Sequence, residues 1–569
     1  MAKELSRRSF IGASALGAMG LFGSAALAGC APAASEQRAD AGASASTGTG
    51  TGTNDGAANA AGEPAWMTAP APIADADIKG TVETEMLVIG AGFAGMSAAL
   101  SAAENGVKVL VAEKQSEFSQ RGAGAGTVNC DFSLTYEDGA VESLEDAQFR
   151  WMQTCGNRPN EALIAQFLNR SGEAGDWLVN IAEKHGCSIG LWDGYSRNPL
   201  LPDEPGYLII NGGDVTRADD PFVAPELMYI ESQAAGAEYL FDAPAEQLVV
   251  ENGAVTGAIL NTKEGYKKVT ASKGVVLATG DIGGSEELCA YYCPIANAIP
   301  NIYQPIGANT GDGHKMALWA GAAMQDAPFP PMLHPQRYSD PFSNQLQGPF
   351  LYVDEQGKRF FNEGTWVQAR SLQIIENTAD DLAYSIFDSS WPEDLLDSLP
   401  HGGGMFWDMF RSKVDSTYQT TVDYYAESID KYMDSVYFKA DTLDDLAKKI
   451  GVPADALKAT VERYNTLCAA GADEDFHKNK QFLYPIDEPP FYASKVGAVV
   501  LTVVGGARID TNLQCLAENG EPVRGLYSIG NASGDIYAVD YPINVPGNSH
   551  GRALTQGYLV GRIVAGKEA

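Results

Sequence analysis

Residues 84–114, TEMLVIGAGFAGMSAALSAAENGVKVLVAEK, constrain the fold more than any other stretch. Met86 to Ile89 is a continuous apolar run of strand length, Ala94 to Glu104 is helix-forming, Asn105-Gly106 ends that helix, and Val107 to Ala112 reads as a second buried strand. Between the first strand and the helix, Gly90, Gly92 and Gly95 supply G-x-G-x-x-G, with Ala91 and Ala94 filling the turn. Each glycine meets a different physical requirement. Gly90 permits the tight turn, Gly92 lets the backbone approach a pyrophosphate closely, and Gly95 lets the helix pack closely on the strand. The helix N-terminus then faces the phosphates. Glu113 ends the second strand, where a carboxylate can accept ribose hydroxyls, and Lys114 follows it. Strand, helix, strand and acid in register predict a Rossmann-like β-α-β unit that binds a dinucleotide, without deciding between FAD and NAD.

The chain ahead of this unit has a different character. Arg7-Arg8 followed by the weakly apolar run Phe10 to Ala28 resembles a twin-arginine export signal, and Leu27-Ala28-Gly29-Cys30 resembles a bacterial lipobox. The expectation for residues 1–30 is therefore a signal peptide, with lipid attached at Cys30 anchoring an exported protein to the outer face of the cytoplasmic membrane. Residues 31–79 are mostly Ala, Gly, Ser and Thr and predict a disordered linker, spanning roughly 40 Å as a flexible coil. The net charge of −34 repels phosphate backbones and argues against nucleic acid as a partner. Among eight cysteines there is no C-x-x-C and no C-x-x-C-H, so neither an iron–sulfur cluster nor a c-type haem is encoded. Cys289 and Cys293 read as core packing rather than as metal ligands, and no metal site is expected.

Distant segments separate FAD from NAD. KGVVLATGDIGGS is a further buried strand ending at Thr279-Gly280; VRGLYSIGNASGD ends another at Gly530-Asn531; PGNSHGRALTQGYLVGRIVAG opens a C-terminal helix. With ANTGDGHKMALWAGA, which contains Asp312, and VDEQGKRFFNE, these resemble the flavoprotein family of fumarate reductase and succinate dehydrogenase, to which urocanate reductase and the 3-ketosteroid dehydrogenases also belong. The resemblance implies FAD, an α/β glutathione-reductase-like FAD-binding domain in two segments (80–332 and 502–569), and an inserted α+β capping domain over 333–501. It implies a cofactor site of Gly90, Ala91, Gly92, Ala94, Gly95, Glu113, Lys114, Gly124, Thr279, Gly280, Asp312, Gly530, Asn531, Arg552, Ala553 and Leu554. No histidine stands in SEFSQRGAGAGTVNC, where succinate dehydrogenases attach the flavin, so FAD is expected to be non-covalent. A flavin loaded in the cytoplasm also accounts for an export route that carries folded cargo.

The resemblance thins at the substrate. Val367 stands where the fumarate reductases carry their proton-donating arginine, with Arg370 three residues on; Leu501 and Thr502 take the histidine positions, and Asn548 that of a substrate arginine. His334 keeps the cap-entry histidine. Tyr541-Pro542 followed by Gly547 resembles the Tyr-Pro-x-x-Gly loop of ketosteroid dehydrogenases, two residues longer, whose phenol polarises a ketone; a Tyr-Pro turn packed beneath the flavin is the plainer alternative. Candidate catalytic residues are Tyr541, His334, His550 and Arg370, with His550 alternatively a group beside the flavin pyrimidine. There is no second dinucleotide fingerprint, so electrons are expected from an external donor such as a membrane-linked cytochrome. The expected reaction is reduction of a C=C bond conjugated to a carbonyl. Desaturation of a ketone, or electron transfer without turnover, are the alternatives.

Overall fold

Period-two alternation in Ile78–Ile89 gives way to an unbroken buried run at Met86 onward, which is how a strand reads when it passes from an edge to the centre of a sheet. The computed structural model describes residues 64–119, 121–122, 124–135, 141–192, 207–216, 223–302, 307–335, 348–365, 367–401, 419–542 and 545–568. In it, Ile78–Ile89 lies parallel to Val109–Ala112 on one side and to Gly265–Leu277 on the other. Glu238–Leu240 and Pro522–Ser528 extend the parallel sheet outward, so the C-terminal segment returns to complete a sheet begun near residue 78.

The nucleotide helix Phe93–Glu104 and the C-terminal helix Asn548–Val564 pack against each other at unusually short range. A Cβ on Gly557 would lie 2.6 Å from Ser97 Cβ, and one on Gly561 2.5 Å from Ala102 N. Gly-x-x-x-Gly in GYLVG is thus a contact surface that seats the C-terminal helix directly on the helix of the glycine fingerprint.

A second, antiparallel sheet forms the cap: Leu351–Val353, Leu382–Phe387, Phe491–Gly497 and Tyr437–Ala440 in that order. The chain enters through Pro331–His334 and leaves through Val499–Val503, which pair antiparallel, with Leu501 extruded as a bulge between the Met332–Thr502 and Leu333–Val500 pairs. The VDEQGKRFFNE motif serves the interior of this cap. Arg359 grips Glu363 at 2.7 Å and Asp473 at 2.8 Å, Lys478 lies 3.3 Å from Glu363, and the guanidinium stacks over Tyr464. Two cations against two carboxylates leave this buried cluster neutral, the condition under which buried charge is tolerated.

The linker ends sooner than its composition implies. Trp66 is buried among Cys289, Tyr292 and Cys293, its carbonyl accepts from Trp319 Nε1 at 2.9 Å, and Gln247 ties both Ala71 and Ile73. One indole and two side-chain amide bonds suffice to order 64–79, and the sheet strand starts at Ile78. The signal segment, Cys30 and residues 31–63 lie outside the described residues.

In the cap, burial and the carboxylates of Asp388, Glu393, Asp397 and Asp487 push Asp394 up to about 7. Between the ordinary Asp value near 4 and pH 7 the folded chain holds a proton that the unfolded chain has released, so this residue's contribution to stability falls as pH rises through that window. Asp394→Asn should therefore raise the melting temperature at pH 8, by about 1–3 °C, and leave it unchanged at pH 4. Calorimetry at both pH values checks this.

Candidate active site

The three fingerprint glycines differ in what surrounds them. A Cβ on Gly90, where φ is +107°, would lie 2.4 Å from the Ala278 carbonyl oxygen, and one on Gly95 2.0 Å from that of Gly90. A Cβ on Gly92 would meet no atom within 4 Å beyond its chain neighbours and its own helix backbone. Gly90 and Gly95 are glycine because protein is there; Gly92 opens onto a space a ligand can fill. The helix it begins has no side-chain cap, which leaves its N-terminal N–H groups for phosphate oxygens. The Ala94 side chain packs beneath Gly530, whose Cβ would lie 3.0 Å from it.

Glu113 stands at the predicted strand end but is less free than the sequence suggests: Oε2 accepts from Ala91 N–H at 2.7 Å and Oε1 from Gln115 N–H at 2.9 Å. It shapes the turn as well as offering its remaining lone pairs to a ribose. Glu113→Ala should then lower both FAD occupancy and stability, since each orphaned amide costs about 1–3 kcal/mol. Flavin content and melting temperature, measured together, check this. Lys114 bonds Thr310 at 2.7 Å and Asp312 at 2.9 Å, tying the same strand end to the helix that begins at Asp312. The Thr279 hydroxyl is buried without a hydrogen-bond partner next to Gly280, and Gly530 N–H donates to Gln556 Oε1 at 2.8 Å. Strand pairing requires glycine at Gly124, where a Cβ would lie 1.7 Å from Leu208 O. Ala553 and Leu554 sit in the hydrophobic core, so their side chains are unavailable to a cofactor.

In the loop that precedes the C-terminal helix, Tyr541 is buried and stacks on Tyr537, centroids 5.6 Å apart. Its hydroxyl oxygen accepts from Ser549 N–H at 3.1 Å, in the first turn of the C-terminal helix. Burial pushes the phenol up to about 12, so it remains protonated and keeps its own hydrogen to donate. Asn548, aligned with a substrate arginine, is spent locally: its Oδ1 accepts from the Tyr537 hydroxyl at 2.6 Å and its amide donates to the Pro542 carbonyl. Asp540 N–H reaches Ala538 O at 2.6 Å around Val539, whose φ of +65° makes a strained three-residue turn for a β-branched side chain. From the cap, Gln368 Nε2 donates to Asp540 Oδ1 at 3.0 Å while its Oε1 accepts from Leu333 N–H, joining the tyrosine loop to the cap entry strand.

His334 is buried with neither ring nitrogen hydrogen-bonded, and burial, reinforced by Arg121, pushes it down to about 3. The same two causes bring the half-buried His550 to about 4. In both, burial and Arg121 favour the neutral imidazole over the imidazolium. Arg121 thus stands beside both histidines and beside Tyr207, and donates to the carbonyl of the bulged Leu501 at 3.3 Å. The structure does not bring Arg370 into this group: its Nε donates to Thr365 O at 2.9 Å and the guanidinium lies beside Tyr352 within the cap. Val367 packs in the core, and Thr502 donates to Asp281, which also takes Val503 N–H at 2.7 Å. Arg121, Tyr207, Asp281, Gln368 and Asp540 are the residues that sequence reasoning missed; the Arg before GAGAG and the Asp after ATG were the available signals.

An open glycine, a bare helix N-terminus and an unpartnered buried hydroxyl fit a dinucleotide, and comparison says which. The model of the FAD binding domain family matches residues 85–544. The chain belongs to that family. Its cofactor is FAD, and it is an oxidoreductase acting on CH–CH groups. A vinyl phenol reductase of Lactiplantibacillus plantarum is 24% identical over 84% of this chain and 96% of its own length. A cytochrome-type fumarate reductase of Shewanella frigidimarina is 27% identical over 84% and 77%. Among solved structures, the 3-ketosteroid-Δ4-(5α)-dehydrogenase of Rhodococcus jostii superposes with a TM-score of 0.65 at 21% identity, covering 85% of this chain and 97% of that one. The family's fold accounts for the two-segment sheet and inserted cap.

Proposed function

We propose that this protein is an exported reductase of C=C bonds conjugated to a carbonyl, driven by an external electron donor. The observation that carries the reading is the placement of Tyr541: a buried, protonated phenol stacked on Tyr537, its hydroxyl accepting from Ser549 N–H, is a donor of the kind a developing oxyanion requires. Bound along the Gly90–Gly95 turn, FAD supplies two-electron hydride chemistry at a substrate carbon. Tyr541 then holds the carbonyl oxygen as negative charge grows on it, while His334 and His550 offer neutral ring nitrogens. The relatives named for reduction of a vinyl phenol and of fumarate support action on a C=C bond. Fumarate itself fits poorly, because Val367, Thr502 and Asn548 are committed to core and loop contacts.

The experiment is anaerobic. Reduced viologen with FAD-loaded protein should consume enones, enoates or hydroxycinnamates, whereas NADH and NADPH should leave the flavin yellow. Faster oxidation of saturated ketones with a dye acceptor would reverse the assigned direction, and turnover in neither direction would leave an electron carrier. Acid precipitation should release the flavin into the supernatant, and Cys30→Ala should free the protein from the membrane fraction.

A further inference from the structure

Arg552 is fully buried, and among the described residues no carboxylate pairs with it. Its guanidinium lies 4.4 Å from the Tyr537 ring centroid, Nη2 donates to Asn531 Oδ1 at 2.6 Å, Nη1 reaches Ser533 O at 3.5 Å, and Nε has no partner. A buried cation with only neutral acceptors and an orphaned donor is costly unless negative charge arrives beside it. Two routes lead from Arg552 to Tyr541. One is the ring stack, guanidinium on Tyr537 and Tyr537 on Tyr541. The other is polar: Asn531 Oδ1, which takes Arg552, also accepts from Ser549 Oγ at 2.9 Å, and Ser549 N–H donates to the Tyr541 hydroxyl.

We propose that Arg552 is the electrostatic positioning residue of the reaction, its positive charge acting through Tyr537, Asn531 and Ser549 to make Tyr541 a stronger donor to the anionic carbonyl oxygen. The inference rests on the proposed enone chemistry. The contacts of Arg552 lead to Tyr541 through Tyr537, Asn531 and Ser549, so its influence on the reaction should shrink when the phenol is removed. The competing source of negative charge is the flavin, and the two differ in what Arg552 would control.

The test is a double-mutant cycle on FAD-loaded protein. Arg552→Gln should lower kcat about ten- to a hundredfold with KM and flavin content kept, and should change kcat by less than about threefold in the Tyr541→Phe background. Arg552→Lys should recover most of the loss. A probe that needs no turnover separates this proposal from the function it rests on: 4-nitrophenol, a mimic of the anionic oxygen, should bind as phenolate to the oxidised protein. Its bound pKa should rise in Arg552→Gln but not when that change is added to Tyr541→Phe. Equal losses in both backgrounds, loss of flavin, or a shifted flavin potential with an unmoved nitrophenol titration would overturn the proposal. Phenolate binding that responds to Arg552 without any enone turnover would sink the reductase reading alone.

Discussion

Tyr541→Phe should lower kcat about a hundred- to a thousandfold, equivalent to about 3–4 kcal/mol of transition-state stabilisation. The substitution keeps the ring that stacks on Tyr537 and leaves the loop pinned by Asn548 and Pro542. What it removes is one hydrogen aimed at charge that develops only during reaction, so KM should move by no more than a few-fold. Ser549 N–H loses its acceptor in the same step, a cost of about 1 kcal/mol to stability that water at this half-buried position can offset. Steady-state kinetics with flavin content measured on the same preparation check the result. Wild-type turnover in the variant would make the Tyr-Pro loop structural.

Substitutions in the glycine fingerprint should separate folding from cofactor binding. Gly95→Ala places a methyl 2.0 Å from the Gly90 carbonyl oxygen, between a central strand and the helix it feeds, and neither can retreat without breaking the sheet. Soluble folded protein should be lost, the overpacking costing at least about 3 kcal/mol. Gly92→Ala meets no protein atom, and its φ of −85° suits alanine. The flavin-free protein should therefore melt where wild-type apoprotein melts, yet the methyl occupies the space needed by the pyrophosphate, and FAD occupancy should collapse. Parallel measurements of apoprotein melting temperature and bound flavin distinguish the two glycines. If Gly92→Ala binds FAD normally, the phosphates lie elsewhere.

The nucleotide half was legible in the sequence because its requirements are local. Gly90, Gly92 and Gly95 are fixed by backbone sterics within a few residues of one another, and period-two and period-3.6 patterns reveal the strands and helix around them. Near the substrate that locality fails. Arg121 meets Leu501 across 380 residues of chain, and Gln368 meets Asp540 across 172. No spacing rule announces such pairs, which exist because the cap leaves and re-enters through adjacent strands. The linker misled for the opposite reason: one tryptophan in a run of small residues is negligible in composition but decisive in packing. Arg370 shows the limit of alignment: three residues past the aligned position, its Nε bonds Thr365 O and its guanidinium lies beside Tyr352 within the cap.

If reduced flavin in this protein delivers two electrons to a C=C bond conjugated to a carbonyl, a single turnover shows it most directly. FAD-loaded protein is reduced anaerobically by one equivalent of dithionite, mixed with an enone or enoate, and followed by flavin absorbance and product mass. The oxidised spectrum should return together with one saturated carbonyl product per flavin. A flavin that stays reduced against enones, enoates and hydroxycinnamates alike, or reoxidises without forming the saturated product, would contradict the reductase reading.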